Sequence, residues 1–263
     1  MTPEELLAAY DAQLREDGEF PPSVPHERHG PLLWVHFPRR GFITYRDLGG
    51  VEGEALDRLI AASVAHFRDE TEYDHVEWKT RGHDAPADLG ERLGAYGFVP
   101  DEVETVMIGE AAALDQDVAV PEGVRIRRCG DEGELEDDVR RLLAMQESVF
   151  GPHTSPLVED VLRVAAAGEE EYWLAESPEG DVVCGGRLTP VPGTEFAGIW
   201  GGATVPQWRG RGIYRALTAA RARSALARGL RYLHSDSTDM SRPILERSGL
   251  VAVTTTTPYE WTR

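Results

Sequence analysis

The chain has 263 residues, 41% of them apolar, and its 46 acidic side chains against 27 basic ones give a net charge of −19. This length allows one large or two small domains with packed cores. The acidic surplus argues against a nucleic-acid partner, because counterion release needs a basic surface. No apolar run approaches the roughly 18–20 residues of a membrane-spanning helix, so no membrane partner is expected.

Other bulk features point to the cytoplasm. The first residues, Met-Thr-Pro-Glu-Glu, have neither the basic nor the apolar region of a secretory signal. Cys129 and Cys184 stand outside any motif, which suits a reducing compartment. The eight histidines show no metal-ligand spacing, so no metal site is predicted. We expect a cytoplasmic protein that is a monomer or a homodimer.

In the first half, apolar periodicity and turn residues predict alternating strands and helices. The predicted elements are a hairpin of strands 32–37 and 41–46, a helix at 52–67, a strand at 75–80, a helix at 86–96 and an extended segment at 98–108. Residues 109–123 are small, acidic and end in Pro and Gly, as linkers often do. Residues 1–123 carry a net charge of −16, and residues 124–263 only −3.

The second half begins with a strand and two helices and then gives an antiparallel meander. The predicted elements are strand 124–128, helix 132–150, a helix from the N-cap Ser155 to about residue 167, strands 172–176, 182–188 and 194–205, helix 214–228, strand 230–235, helix 241–250 and strand 253–261. A meander followed by two crossover units is typical of an α+β fold.

The two halves share a weak internal repeat. Residues 76–99 and 233–251 each contain a strand, a polar turn, a Pro near a helix start and the pattern Leu-x-x-x-Gly. Leu93 to Gly97 in the first half corresponds to Leu245 to Gly249 in the second. This order predicts two related units in tandem.

The segment 205–214, Val-Pro-Gln-Trp-Arg-Gly-Arg-Gly-Ile-Tyr, lies between a predicted strand and a predicted helix. A helix N-terminus presents unpaired backbone N–H groups and the positive end of the helix dipole, and together they bind phosphate. From Val205 to Arg231 there are seven Arg and no Asp or Glu, although the chain as a whole is acidic. This context favours an anion site over a solvated helix start.

The segment resembles the acetyl-CoA loop of the GNAT superfamily of N-acetyltransferases, whose signature is Gln/Arg-x-x-Gly-x-Gly/Ala. Gln207, Gly210 and Gly212 match it, and the downstream strand, helix and tail resemble the family over about residues 124–263. The resemblance implies an α+β fold of two GNAT-like units, each a mixed, mostly antiparallel twisted sheet flanked by helices. The predicted domains are a degenerate unit at 1–115 and a complete unit at 122–263.

The resemblance implies acetyl-CoA as co-substrate and no metal. The residues expected to bind it are Ala203, Thr204 and Val205 beside the pantetheine arm, Arg209, Gly210, Arg211, Gly212, Ile213 and Tyr214 around the pyrophosphate, Arg215, and Ser241 at the start of a later helix. The consecutive Gly201 and Gly202 predict a bulge that would splay the sheet. In the first half, Glu52 and Glu54 replace arginines at the corresponding position, so that half is predicted not to bind CoA.

Two departures from the family leave the catalytic residues open. The tyrosine often proposed as general acid is Leu245 here, and Ser241 stands where an Asn is frequent. Glu195 and Asp236 are candidates for the general base, with Glu147 a weaker one. Trp200, beside the predicted bulge, could line the acceptor pocket or pack in the core.

The leading hypothesis is therefore an acetyl-CoA-dependent N-acetyltransferase that acts on a primary amine of a small molecule or peptide by direct attack. One alternative is a CoA-binding sensor or scaffold without catalysis, which Leu245 keeps open. Another is a Fem-like aminoacyltransferase, since tandem units occur in that family. The net charge of −19 argues against its tRNA partner.

Overall fold

The structure, a computed structural model, describes residues 1–152 and 156–263, which form two compact units. The first unit comprises Met1–Met107, Asp236–Arg242 and Ala252–Arg263, and the second comprises Ile108–Ser235 and Pro243–Val251. The predicted domains 1–115 and 122–263 stay a prediction.

Up to residue 110 the chain contains three helices and six strands. In chain order they are α1 (Pro3–Gln13), β1 (His26–His29), β2 (Leu32–Phe37), β3 (Arg40–Thr44), α2 (Gly53–Asp69), β4 (His75–Arg81), α3 (Leu89–Ala95), β5 (Val99–Pro100) and β6 (Glu104–Glu110). The predicted hairpin and helix 52–67 are confirmed as β2–β3 and α2. Helix α1 and strand β1 were not predicted.

The rest of the chain follows the predicted order. It contains α4 (Ala111–Leu114), β7 (Arg125–Arg128), α5 (Leu135–Phe150), α6 (Val158–Ala166), β8 (Glu171–Glu176), β9 (Val182–Pro190), β10 (Phe196–Thr204), α7 (Ile213–Ala227), β11 (Tyr232–Ser237), α8 (Arg242–Ser248) and β12 (Val251–Thr262). Only α4, inside the predicted linker, was not expected. The predicted N-cap Ser155 lies outside the described residues.

The sheet of the first unit has the strand order β1-β2-β3-β4-β12, with β5 also paired to β12. Only the β3–β4 pair is parallel. Helix α2 covers one face of this sheet, where Trp34, Ile43, Ile60 and Trp78 are buried.

The last strand, β12, pairs with β4 in antiparallel register from Thr256 to Thr262. The Thr256 hydroxyl donates to the carbonyl of Thr80, and Trp261 packs into the core of the first unit. This strand, predicted as part of the C-terminal half, therefore belongs to the first unit. Its alternating pattern identifies a strand but does not specify which sheet edge it joins.

The sheet of the second unit has the order β11-β10-β9-β8-β7, with β10 and β11 parallel and the other pairs antiparallel. Leu174 packs with residues of α5, while the adjacent Trp173 packs with Ile213 and Leu217 of α7. Successive residues of a strand face opposite sides of the sheet, so α5 and α7 cover opposite faces. Both units are therefore mixed sheets flanked by helices, as predicted. Among the described residues, no helix has the length and apolar character to cross a membrane.

Candidate functional site

Residues 205–212, here called the glycine loop, join the end of β10 to the N-terminus of α7. A short 3-10 turn, Pro206–Trp208, leads into Gly210 with φ of 73° and Gly212 with φ of 81°. This left-handed conformation favours glycine, which lacks a Cβ. Gly212 is the N-cap of α7, and neither a side-chain cap nor an acidic residue is present in the first turn. The first N–H groups of α7 are therefore not satisfied by a capping side chain.

Three arginines surround this helix start. Arg209, Arg211 and Arg215 are exposed, and none of them forms a salt bridge within the described residues. The Arg209 Nε donates to the carbonyl of Thr204 at 3.0 Å, and the Arg211 guanidinium lies 4.9 Å from the centroid of the Trp208 ring. Because no carboxylate neutralises them, the arginines make this helix start electropositive.

The predicted bulge is present in β10. Trp200 is opposite Arg187 of β9, but the next paired residue, Ala203, is opposite Gly185, so the register shifts between them. Gly201 has φ of 61°, a conformation that suits glycine at a bulge.

Side chains from both faces hold the bulge. The Gln146 amide of α5 donates to the Gly201 carbonyl at 2.6 Å. Tyr214, the second residue of α7, lies against Gly202, where a Cβ would stand only 2.5 Å from the tyrosine Oη. This arrangement assigns Tyr214 a packing role and gives the bulge a fixed position.

The parallel pairing of β10 with β11 covers a short stretch that ends before the bulge. It runs from Phe196 opposite Tyr232 to Gly198 opposite His234. Beyond Gly198, β10 continues to Thr204 and pairs with β9. The two parallel strands therefore separate upstream of the bulge and the loop.

The three residues predicted to lie beside the pantetheine arm, Ala203, Thr204 and Val205, differ in their burial and hydrogen bonds. Ala203 is buried, and the Thr204 hydroxyl lies 3.2 Å from the Sγ of Cys184. The Val205 N–H donates to Val183 of β9 at 3.0 Å, so it faces away from the side where β10 and β11 separate.

The structure brings together the predicted residues from Ala203 to Arg215 in the second unit, whereas Ser241 belongs to the first unit. The Ser241 hydroxyl donates to the carbonyl of Thr238 at 3.2 Å. Leu245 is 2% exposed in α8, so this position supplies an apolar contact and no proton donor.

The candidate bases are in different surroundings. Asp236 accepts a hydrogen bond of 2.7 Å from the Lys79 ammonium within the first unit. Burial disfavours the charged form of Lys79, but the charge of Asp236 raises the pKa of the ammonium above its ordinary value. Glu195 and Glu147 are both exposed.

His234 is a further candidate base, which the sequence motifs do not single out. This residue of β11 is 9% exposed, and its ring contacts that of Trp200 edge to face, with the centroids 5.2 Å apart. Because His234 is opposite Gly198, it marks the point at which the parallel pairing ends. A histidine inside the apolar strand pattern 230–235 was the available signal, since an imidazole titrates near neutral pH.

The corresponding connection in the first unit, between β3 and α2, lines a cavity of about 470 Å³. Gly49 and Gly50 also have positive φ there, but the lining carboxylates include Asp11, Asp47, Glu52 and Asp84. Arg46 also lines this cavity, and Asp11 and Asp84 form salt bridges with Arg15. That this half does not bind CoA stays a prediction.

A cavity of about 500 Å³ in the second unit is lined by Arg127, Asp138, Arg141 and Glu176, among others. These four charges form salt bridges with one another. Their mutual neutralisation makes the cavity part of a structural ion-pair network, so we favour the glycine loop as the functional site.

No protein-family model matches the chain, and no curated protein is similar to it. Solved structures do resemble it. A GCN5-related N-acetyltransferase from Kribbella flavida aligns with a TM-score of 0.62 and 15% identity, covering 97% of this chain and 94% of that one. A GCN5-related N-acetyltransferase from Sphaerobacter thermophilus gives a TM-score of 0.64 and 19% identity, covering 88% and 76%.

A tandem GNAT protein from the clavulanic acid biosynthesis pathway also aligns, with a TM-score of 0.61 and 11% identity, covering 92% of this chain and 84% of that one. At these identities the likeness concerns the fold. The chain has the fold of the GCN5-related N-acetyltransferases, in its tandem form.

Proposed function

We propose that the second unit catalyses acetyl-CoA-dependent N-acetylation of a primary amine in a small molecule or a peptide. One observation carries the proposal: β10 and β11 part at Gly198 and His234, just before a bulge and a helix start that bears three exposed arginines. An extended chain ending in a pyrophosphate would find an open strand edge followed by an anion site.

The residues present fit this co-substrate. Gly210 has open space around its missing Cβ, so an anion can approach the backbone closely there. The backbone of Arg209 to Tyr214, with the side chains of Arg211 and Arg215, would hold the pyrophosphate, and Ala203 and Thr204 would lie beside the pantetheine arm. When bound, acetyl-CoA supplies the activated acyl group.

The remaining requirement is removal of the proton from the attacking amine. Among the candidates His234 suits this role best, because it lies at the strand separation and a neutral imidazole can accept a proton. Asp236 is held by Lys79. The amine nitrogen bonds to the acyl carbon, the carbon–sulfur bond breaks, and the amine proton passes to the base. Because Leu245 stands where the family's usual tyrosine would be, the group that protonates the departing sulfur is unassigned.

Calorimetric titration with acetyl-CoA tests the binding step. The informative variant is Gly210→Glu, which adds a carboxylate at the helix start. Gly193→Glu is its matched control, since Gly193 has φ of 76° against 73° for Gly210 and both have open space around the Cβ position. The wild type and Gly193→Glu should bind, whereas Gly210→Glu should not. No binding to the wild type at tens of micromolar, or equal binding by both variants, would contradict the proposal.

A second candidate, a CoA-binding module without catalysis, is favoured by the buried Leu245. Thiol release from acetyl-CoA in the presence of a broad panel of primary amines separates the two. Release that depends on one class of amine supports the enzyme. Tight binding without release over the whole panel supports the module.

A further inference from the structure

Three side chains from separate elements converge in the first unit: Glu27 on β1, His36 on β2 and His66 on α2. Glu27 is directly opposite Trp34 in the β1–β2 pair, and His36 is two residues beyond Trp34 on the same face. Helix α2 packs on that face, where the rings of Trp34 and His66 stack with centroids 4.3 Å apart. The register and the helix packing together fix this cluster.

The separations within the cluster suit metal ligands better than a hydrogen bond. The Nε2 atoms of His36 and His66 each lie 3.4 Å from Glu27 Oε1, and the three ligand atoms all lie within 4.8 Å of one another. An N–H···O hydrogen bond is normally about 2.7–3.2 Å long. Tetrahedral Zn²⁺ with bonds of about 2.0–2.2 Å puts neighbouring ligand atoms about 3.3–3.6 Å apart, a range that contains both histidine–glutamate separations.

The orientation of His66 is an independent indication. Its Nε2 is buried and has no hydrogen-bond partner among the described residues. Its Nδ1 lies 3.1 Å from the Glu70 carboxylate one turn later in α2. A carboxylate that accepts a hydrogen bond from the N–H of one imidazole nitrogen leaves the other nitrogen with its lone pair free to bind a metal, as in many zinc sites.

The surroundings leave the cluster closed on one side and open on the other. The rings of Trp34, Phe67 and Tyr73 lie around the two imidazoles. Glu27 is 54% exposed on the strand at the edge of the sheet, so solvent reaches the cluster from that side. A water molecule could therefore complete a four-coordinate ion.

We propose that Glu27, His36 and His66 bind one divalent transition-metal ion, with Zn²⁺ the ion that two imidazoles and a carboxylate suit best. The ion would connect the short edge strand β1 to α2, so its role would be to stabilise the first unit. This site is separate from the glycine loop and does not depend on the proposed acetyl transfer.

The test uses the full chain without a histidine tag, stripped of metal by a chelator. Titration with Zn²⁺ should give one ion per chain, and Co²⁺ should give the intense visible absorption of a four-coordinate ion. Thermal unfolding should move to higher temperature in the presence of Zn²⁺, because the ion binds the folded state.

Variants assign the ligands. His36→Gln, His66→Gln and Glu27→Gln should abolish or strongly weaken the Co²⁺ signal, and Glu27→Gln is the variant least disturbing to folding because its side chain is 54% exposed. Glu70→Gln should lower the affinity about 10–100-fold. His26→Gln is the control, since His26 neighbours Glu27 on β1 but faces the other side of the sheet.

Either of two results would overturn the proposal, and a third would contradict the assignment of the ligands. One is an absence of bound ion when the folded wild-type chain is titrated with excess Zn²⁺. The other is wild-type affinity in both Glu27→Gln and His66→Gln, with circular dichroism showing that they are folded. Loss of binding in His26→Gln equal to that in His36→Gln would also contradict the assignment.

Discussion

The side-chain amide of Gln146 donates a hydrogen bond of 2.6 Å to the carbonyl of Gly201, the glycine with φ of 61° in the bulge of β10. Gln146 belongs to α5, so a helix on one face of the sheet holds the irregular point of the strand. This contact links the packing of the second unit to the shape of its proposed acyl-CoA site.

Gln146→Leu should therefore weaken both stability and binding. The substitution removes the hydrogen bond to the partly buried Gly201 carbonyl, and such a bond contributes about 0.5–1.5 kcal/mol. Urea unfolding measures the first effect and calorimetry with acetyl-CoA the second. Ser148→Ala is the control on the same helix, because the exposed Ser148 hydroxyl donates to the Met145 carbonyl of its own helix at 2.6 Å. Equal acetyl-CoA affinities for wild type and Gln146→Leu would show that the bulge needs no such support.

Gly202→Ala tests the packing of the bulge against α7. Gly202 does not have a positive φ, but a Cβ there would lie 2.5 Å from the Tyr214 Oη and 2.6 Å from its Cε2. Overpacking of this kind costs about 1–3 kcal/mol, and the midpoint of thermal unfolding should fall accordingly.

Tyr214→Ala should partly rescue Gly202→Ala, because it removes the ring that the new methyl group meets. A double-mutant cycle on the free energy of unfolding measures this coupling. Additive effects of the two substitutions would argue that the ring does not occupy the space above Gly202.

The ion pairs around Arg127 predict a loss of stability in acid. Arg127 donates to Asp138 at 2.7 Å and to Glu176 at 3.0 Å, and both carboxylates are buried. These hydrogen bonds hold the pKa values of Asp138 and Glu176 below their ordinary values of 3.8 and 4.5. A lowered pKa contributes stability that is present above the ordinary pKa and is lost as the pH falls through the lowered one.

Arg127→Leu should lower the free energy of unfolding at neutral pH by about 3–5 kcal/mol, since it leaves buried carboxylates without their main partner. The decline in stability below about pH 4.5 should become shallower, because the folded state no longer stabilises the charged form of Asp138 and Glu176 through Arg127. Urea unfolding over a pH series measures both effects. Arg140→Leu, which removes an exposed pair with Glu136, should change neither.

The two cysteines should be inert in the folded protein. Burial raises the pKa of the Cys129 thiol to about 12 and that of Cys184 to about 11. The reactive thiolate is therefore a small fraction at pH 8, so a thiol reagent should modify neither residue until denaturant is added. Mass spectrometry after brief alkylation measures the modification. A cysteine that reacts rapidly in the native protein would contradict this prediction, and inert cysteines make thiol release a clean assay for acetyl transfer.

Most elements of both units could be predicted because their apolar residues follow a regular period. The loop was recognisable because Gly210 and Gly212 stand between a strand pattern and a helical one, and the paired Gly201 and Gly202 correctly indicated the bulge. These are local signals, and the backbone conformations they require are local too.

What could not be predicted depends on contacts between distant parts of the chain. Strand β1, His-Glu-Arg-His, contains no alternating apolar residues, so the hydrophobic pattern of the sequence does not predict its pairing with β2. The cluster of Glu27, His36 and His66 has no motif spacing, because strand register and helix packing bring its members together. Helix α1 did have a signal, since Thr2 and Glu5 form a capping box around Pro3, but only two of its residues are buried.

The carbonyl oxygen of Ala119 lies 2.8 Å from where a Cβ on Gly212 would stand. The segment before β7 therefore runs directly past the start of α7, and Asp115 at its beginning is anchored to Arg223 of the same helix at 2.6 Å. Anything that occupies the glycine loop must share this space with residues 115–121. The rate of protease cleavage within residues 115–121 should therefore differ between the protein with and without a ligand in the glycine loop. This measurement does not require the acceptor amine to be known.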